Sequence, residues 1–251
     1  MASFKPKACV VIPARYASSR FPGKPLTPLL GKPMVLWVAE LSARAVGEKH
    51  VYVATDDSRI ANVVSEAGFS AVMTEPNALT GTDRLAQAAQ SLEYDIFVNV
   101  QGDEPLLDPV DIVSCIEMKS KFPNKVINGY CLIQKNEDPN NINLPKVVTN
   151  EGGRLVYMSR TKVPAFKDKN NEPNHYKKQV CIYGYSKEEL EAFSSFGRKS
   201  NLEYSEDIEI LRFLELDREI IMYECVAGSL AVDVPHDVFK VEQALRNKAI
   251  L

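Results

Sequence analysis

Val11-Ile-Pro-Ala-Arg-Tyr-Ala-Ser-Ser-Arg-Phe-Pro-Gly-Lys-Pro-Leu26 follows the apolar residues Cys9 and Val10, then turns abruptly polar. Such a boundary reads as a buried strand running out into a loop. In an open α/β sheet, ligands lie beyond the carboxyl ends of the strands, so a loop leaving the first strand with Arg15, Arg20 and Lys24 is placed where a phosphate chain could lie. Arg offers a planar fork of donors to phosphate oxygens, and Lys a mobile point charge. Pro22 and Gly23 permit the tight turn that would bring Lys24 back toward Arg15.

The charge distribution points the same way. The chain has 30 basic and 33 acidic residues, a net charge of −3, yet residues 1–39 carry six cations and no carboxylate. That segment is +6 and the remainder −9. An acidic protein that keeps one segment free of carboxylates has the makings of an anion site, with a merely solvated basic face as the alternative.

Length and composition frame this site. With 251 residues, 45% hydrophobic and 25% charged, one large domain with a smaller lobe is expected. No apolar run approaches the ~18 residues of a membrane helix, and no signal-peptide region precedes the first strand, so a cytoplasmic protein is expected. The five cysteines form neither a C-x-x-C motif nor a Cys/His cluster and read as buried thiols. A pI near 5.8 without a basic run argues against a nucleic-acid partner.

Outward from the loop, residues 33–47 predict a helix with Pro at its start and Gly after its end. Strands at 50–55, 71–74 and 95–100 alternate with helices at 57–68, 82–92 (capped near Thr82) and from Asp108-Pro109 to about Lys121. That alternation predicts a doubly wound parallel sheet. Past residue 125, strand-like runs at 126–134, 145–149, 153–159 and 177–185 with one helix at 187–195 predict an inserted antiparallel lobe. Residues 167–174 read as a mobile loop or lid within it. The α/β pattern resumes with a helix at 205–217, strands at 220–226 and 230–234, and a last helix from Pro235 to about Lys248.

Asp103 and Asp233 both fall at predicted strand ends. If the strand order brings them together, two carboxylates meeting a polyphosphate call for Mg²⁺. With Pro235 as first helical residue the cap would be Val234, so capping explains Asp233 poorly; Asp103 taken alone reads equally well as a turn residue. Neither G-x-S-x-G, H-E-x-x-H, a P-loop nor G-x-G-x-x-G occurs. Cations, carboxylates and no covalent nucleophile favour direct phosphoryl or nucleotidyl transfer.

Residues 13–26, Val53-Ala-Thr-Asp-Asp57, Thr80-Gly-Thr-Asp-Arg84, Asn99-Val-Gln-Gly-Asp-Glu-Pro105, Met158-Ser-Arg160, Ile182-Tyr-Gly-Tyr185 and Val232-Asp233 together closely resemble, in order, the 3-deoxy-manno-octulosonate (Kdo) cytidylyltransferases, or CMP-Kdo synthetases. The resemblance implies a three-layer α/β/α, Rossmann-like nucleotidyltransferase fold, a homodimer, and Mg²⁺-dependent attack of an acid sugar's anomeric hydroxyl on CTP for lipopolysaccharide or capsule synthesis. Arg15 and Lys24, with Arg20 nearby, would bind the triphosphate and Thr80, Gly81, Thr82 and Arg84 the nucleoside. Gln101 would lie between nucleotide and sugar, and Asp103 and Asp233 would hold the metal. Arg160, Tyr183, Tyr185 and Glu209 would face the sugar, and the lobe at about 126–200 would bind sugar and form the dimer. Two departures fall on the sugar side: the family usually shows His where this chain has Gln179, and Gln where it has Ile210. The sugar could therefore be Kdo, its 8-amino analogue or a nine-carbon acid sugar; a sugar-nucleotide-binding module without turnover is the non-enzymatic alternative.

Overall fold

A seven-residue strand, β1 (Ala8–Ala14), buried on both faces, lies inside the sheet. The computed structural model describes residues 6–17 and 21–249, so Arg20 lies outside the described residues. A turn of 3-10 helix (Lys24–Leu26), a short hairpin of β2 (Pro28–Leu29) and β3 (Lys32–Pro33), and α1 (Met34–Val46) follow. Then come β4 (Val51–Thr55), α2 (Ser58–Glu66), β5 (Ser70–Met73), α3 (Gly81–Ala89), β6 (Ile96–Val100) and α4 (Pro109–Lys121). The second half adds β7 (Val126–Leu132), β8 (Lys146–Thr149), β9 (Leu155–Ser159), β10 (Lys177–Tyr185), α5 (Lys187–Ser195), α6 (Asn201–Glu206), α7 (Leu211–Glu215), β11 (Ile220–Glu224) and α8 (Asp237–Ala249).

The main sheet has nine strands, with the path β11-β7-β10-β6-β1-β4-β5 and β8 and β9 off it. β1 is parallel to β4 and β6, and β7 to β11. β10 runs antiparallel to β6, β7 and β8. The antiparallel segment between residues 126 and 200 is thus continuous with the parallel sheet, and the β8–β9 hairpin extends from β10.

Side-chain alternation makes the three layers. Val10 and Ile12 of β1 pack with α1, α2 and α4 through Val38, Ile60 and Ile112. Cys9 and Val11 face the other way, toward α3, α5 and α7 through Leu85, Phe193 and Phe213. A satellite cluster of Leu29, Met34, Leu106, Val232, Val241 and Leu245 fastens α8 to the hairpin and α1.

Three sequence expectations are corrected. The helix expected over 205–217 is two helices, because Asp207 adopts a left-handed conformation (φ 51°, ψ 48°) that ends α6; Asp is among the few residues that tolerate it. Residues 230–234 form no strand; their tie to the sheet edge is Val232 N–H donating to the Asp103 carbonyl at 3.0 Å. α8 starts at Asp237 rather than Pro235, and the Asp237 carboxylate accepts the N–H groups of Asp233 and Val234, each at 3.0 Å. The segment expected to be a mobile lid carries a 3-10 turn, Lys169–Asn171, whose N-cap is Asp168.

Candidate active site

Beyond Ala14 the chain leaves the sheet and closes on itself where Gly23 N–H donates to the Tyr16 carbonyl at 2.9 Å. Gly23 has φ +68°, and a Cβ there would lie 3.3 Å from the Tyr16 ring, so this turn needs glycine. The same ring carries the Arg59 guanidinium, 3.4 Å from its centroid. Arg59 is held in turn by both carboxylate oxygens of Asp57, which caps α2.

The turn aims Lys24 across the strand ends. Its Nζ donates to Asp103 Oδ2 at 2.5 Å and to the Val232 carbonyl at 3.0 Å. Gly102, just before Asp103, packs so closely under β1 that a Cβ would sit 3.0 Å from the Pro13 carbonyl. With the Val232–Asp103 backbone bond, three separate loops converge here, bringing Lys24, Asp103 and Asp233 to one cleft. Glu104 lies buried beside them and accepts from the Ser229 hydroxyl. Burial first, then the charges of Asp103 and Asp233, pushes its carboxyl up to about 7 against the lowering effect of Ser229.

The cleft occupies about 350 Å³, within the ~300–1,000 Å³ usual for small-molecule sites. One wall is the start of α3. Thr80 caps it, accepting from Asp83 N–H at 3.1 Å. The next two N–H groups, of Gly81 and Thr82, go to Glu209 at 3.1 and 2.9 Å, and the Thr82 hydroxyl joins them at 2.7 Å. A carboxylate at a helix N-terminus meets both orphan donors and the positive end of the helix dipole. Arg84 reaches Thr74 Oγ1 at 2.5 Å and Asp56 at 3.4 Å. Burial and the nearby Arg15 lower its pKa, Asp56 opposing. Behind this wall the wholly buried Arg212 pairs with Asp83 and Glu203.

The opposite wall rises from β10 through Gln179, Cys181 and Tyr183, with Arg160, Asn143, Lys199 and Asp207 around it. The Arg160 guanidinium donates to the carbonyls of Glu206, Ile142 (2.9 Å) and Asp207 (3.0 Å). It thus fastens the end of α6 while lining the cleft.

Arg15, Lys24, Thr80, Gly81, Arg84, Gln101, Asp103, Arg160, Gln179, Tyr183, Glu209 and Asp233 all line this one cleft. Thr82 stands behind it, bound to Glu209. Tyr185 is not at the wall: it is buried in the α3–α5–α7 layer, stacked on Tyr183 (6.0 Å) and Phe213 (5.5 Å). Ile210 is likewise a core residue, fully buried, so its difference from the family changes packing rather than a cleft contact. Cys181 is only partly buried and lines the cleft, unlike the other cysteines. Sequence reading missed Asn143, Lys199 and Asp207. The Ser200-x-x-Glu203 capping box would have placed a helix start beside Lys199, but nothing local marks Asn143.

The cytidylyltransferase family model matches residues 9–220. The chain belongs to the cytidylyltransferase family. This cytidylyltransferase is 38% identical over 246 residues to the 8-amino-3,8-dideoxy-manno-octulosonate cytidylyltransferase of Shewanella baltica (strain OS185), covering 94% of this chain and 97% of that one. It is 39% identical over 246 residues to the enzyme of the same name from Shewanella oneidensis, with the same coverage. A solved CMP:2-keto-3-deoxy-manno-octonic acid synthetase complexed with CTP superposes with a TM-score of 0.89 at 36% identity, over 96% of this chain and 99% of that one. The fold alone extends to a 4-diphosphocytidyl-2C-methyl-D-erythritol synthase from Anaerococcus prevotii, TM-score 0.62 at 12% identity and 96% and 99% coverage.

Proposed function

We propose that this cytidylyltransferase joins CMP from CTP to the anomeric hydroxyl of an eight-carbon 3-deoxy acid sugar, Kdo or its 8-amino analogue. The hydroxyl oxygen bonds to the α-phosphorus, the bond to the β-phosphate oxygen breaks, and pyrophosphate leaves. The carrying observation is the bridge from Lys24 to Asp103 and Val232, which brings the cation loop and two carboxylate loops to one strand edge.

On this reading the nucleoside lies against Thr80–Arg84, and Arg15 and Lys24 meet the phosphates. Preorganised cations there would stabilise charge that grows as the phosphorus becomes five-coordinate. The sugar takes the β10 side of the cleft.

Asp103 and Asp233 fit Mg²⁺: they are hard oxygen donors on loops joined by a backbone bond. Among the described residues no group of three or more His, Cys, Asp or Glu could hold a metal without substrate. Mg²⁺ binds through one or two carboxylates plus phosphates, so this pair suffices once CTP is present. When bound, the ion would polarise phosphate oxygens and align attack with departure.

The two sugars differ at C8, hydroxyl in one and amine in the other. The names of the Shewanella relatives favour the amine and that of the CTP-complexed structure the hydroxyl. Pyrophosphate release with CTP, Mg²⁺ and each of Kdo, its 8-amino analogue and a nine-carbon acid sugar decides among them. Release with either eight-carbon sugar is expected; release only with the nine-carbon sugar, or with none, rejects the proposal. A homodimer in the cytoplasm belongs to the same reading and is open to light scattering and fractionation; no helix among the described residues is long and apolar enough to cross a membrane.

A further inference from the structure

The orientation of one amide in the cleft follows from backbone geometry alone. β10 shifts register against β7 between Val180 and Tyr183. Asn128 of β7, wholly buried, fills the irregularity: its Nδ2 donates to the carbonyls of Val180 at 3.0 Å and Ile182 at 2.8 Å. Carbonyl oxygens only accept, so the NH₂ end of Asn128 has to face them. That fixes Asn128 Oδ1, another pure acceptor, toward Gln179. Gln179 must then turn its own NH₂ inward, and its Nε2 lies 3.1 Å from Asn128 Oδ1 and 3.3 Å from the Tyr183 hydroxyl. No described residue donates to Gln179 Oε1, and Gln179 lines the cleft on the β10 side.

The strand order places this carbonyl across the cleft from the α3 wall, where the proposed function puts the nucleoside. β10 is separated from β1 by β6, whereas the α3 wall lies over the β1 and β4 side. Resting on the proposed function, we infer that Gln179 is a specificity-determining residue that offers the acid sugar a fixed, uncharged hydrogen-bond acceptor. The sugar must therefore present a donor there, a hydroxyl or an amino group. Its carboxylate, an acceptor only, is excluded from that position and is directed elsewhere in the cleft. Flipping the amide to present NH₂ instead would set two acceptor oxygens, Gln179 Oε1 and Asn128 Oδ1, against each other, which is what makes the preference a property of the fold.

Steady-state kinetics with Gln179→Met, close in size and lacking the amide, test this against a series of monodeoxy or deamino versions of whichever sugar the natural protein uses. The variant should melt within a few degrees of the natural protein, keep its KM for CTP, and show a sugar KM raised about tenfold, the loss of one hydrogen bond. One analogue should be about tenfold poorer for the natural protein yet equivalent to the parent sugar for Gln179→Met, as required when a residue and a substrate group are partners. A sugar KM within twofold of natural, an equal rise in the KM for CTP, or a deoxy analogue penalty that persists in the variant would overturn the inference while leaving the proposed function standing. Absence of pyrophosphate release by the natural protein with every eight-carbon sugar would remove both.

Discussion

Lys24 has two partners, 79 and 208 positions away in sequence. In the free protein its ammonium neutralises Asp103; on the proposed reading the same cation would lie beside the triphosphate oxygens on which charge develops. Replacing it with Ala should lower kcat by on the order of 10²-fold or more, as expected for one preorganised donor. The melting temperature should stay close to natural, since the side chain is outside the core clusters. Asp103→Asn and Asp233→Asn keep shape and remove charge, so each should nearly abolish pyrophosphate release in a protein of unchanged circular dichroism, and EDTA should reproduce the loss. Activity of either variant at ordinary Mg²⁺ would refute the carboxylate pair. Lys24 and Asp103 were legible as cleft residues because a loop cation after β1 and a carboxylate after β6 announce themselves by position; Asp233 reaches the same cleft although the strand expected to end beside it does not form. Tyr185 was not: two tyrosines two apart on a strand should share a face, and they do, but only Tyr183 reaches the cleft while Tyr185 stacks deeper on Phe213. Motif membership carries no information about depth along a strand.

The break between α6 and α7 matters more than either helix. Asp207 turns the chain, Arg160 fastens the carbonyls of Glu206 and Asp207, and Glu209 thereby reaches the start of α3. Apolar spacing alone does not show it, since Ile208, Leu211 and Leu214 keep helical intervals although all three follow the left-handed Asp207 and α7 begins only at Leu211. The strands and most helices were legible for the opposite reason: their burial follows periods that any core must respect. Behind the same wall, Arg212 pairs with both Asp83 and Glu203 with no exposure of its own. Removing one partner of a buried ionic group leaves charge uncompensated and costs about 3–5 kcal/mol. Arg212→Met should therefore lower the stability measured by urea unfolding by about that amount. Because Asp83 also braces the Thr80 cap, the surviving folded protein should bind CTP more weakly. A stability change under 1 kcal/mol would show that the trio is not under such strain.

Across the whole molecule, the cleft is a meeting of distant segments on a sheet whose order no local pattern reveals. The alternation of strands and helices announced a parallel sheet, but not that β10 would enter antiparallel between β6 and β7 and carry the far wall of the cleft. Nor did it show that residues 230–234 leave the sheet to lie across its edge. The order of synthesis gives the tie from Val232 to Asp103 a temporal meaning. A chain growing on the ribosome has every strand of the sheet once residue 224 is made, yet Lys24 still lacks its second partner and Asp103 its companion carboxylate. Until residues 232 and 233 follow, the loop after β1 has Asp103 alone to hold. On the proposed reading, a translation product stopped after β11 but before residue 232 would leave the ribosome as a sheet without its carboxylate pair.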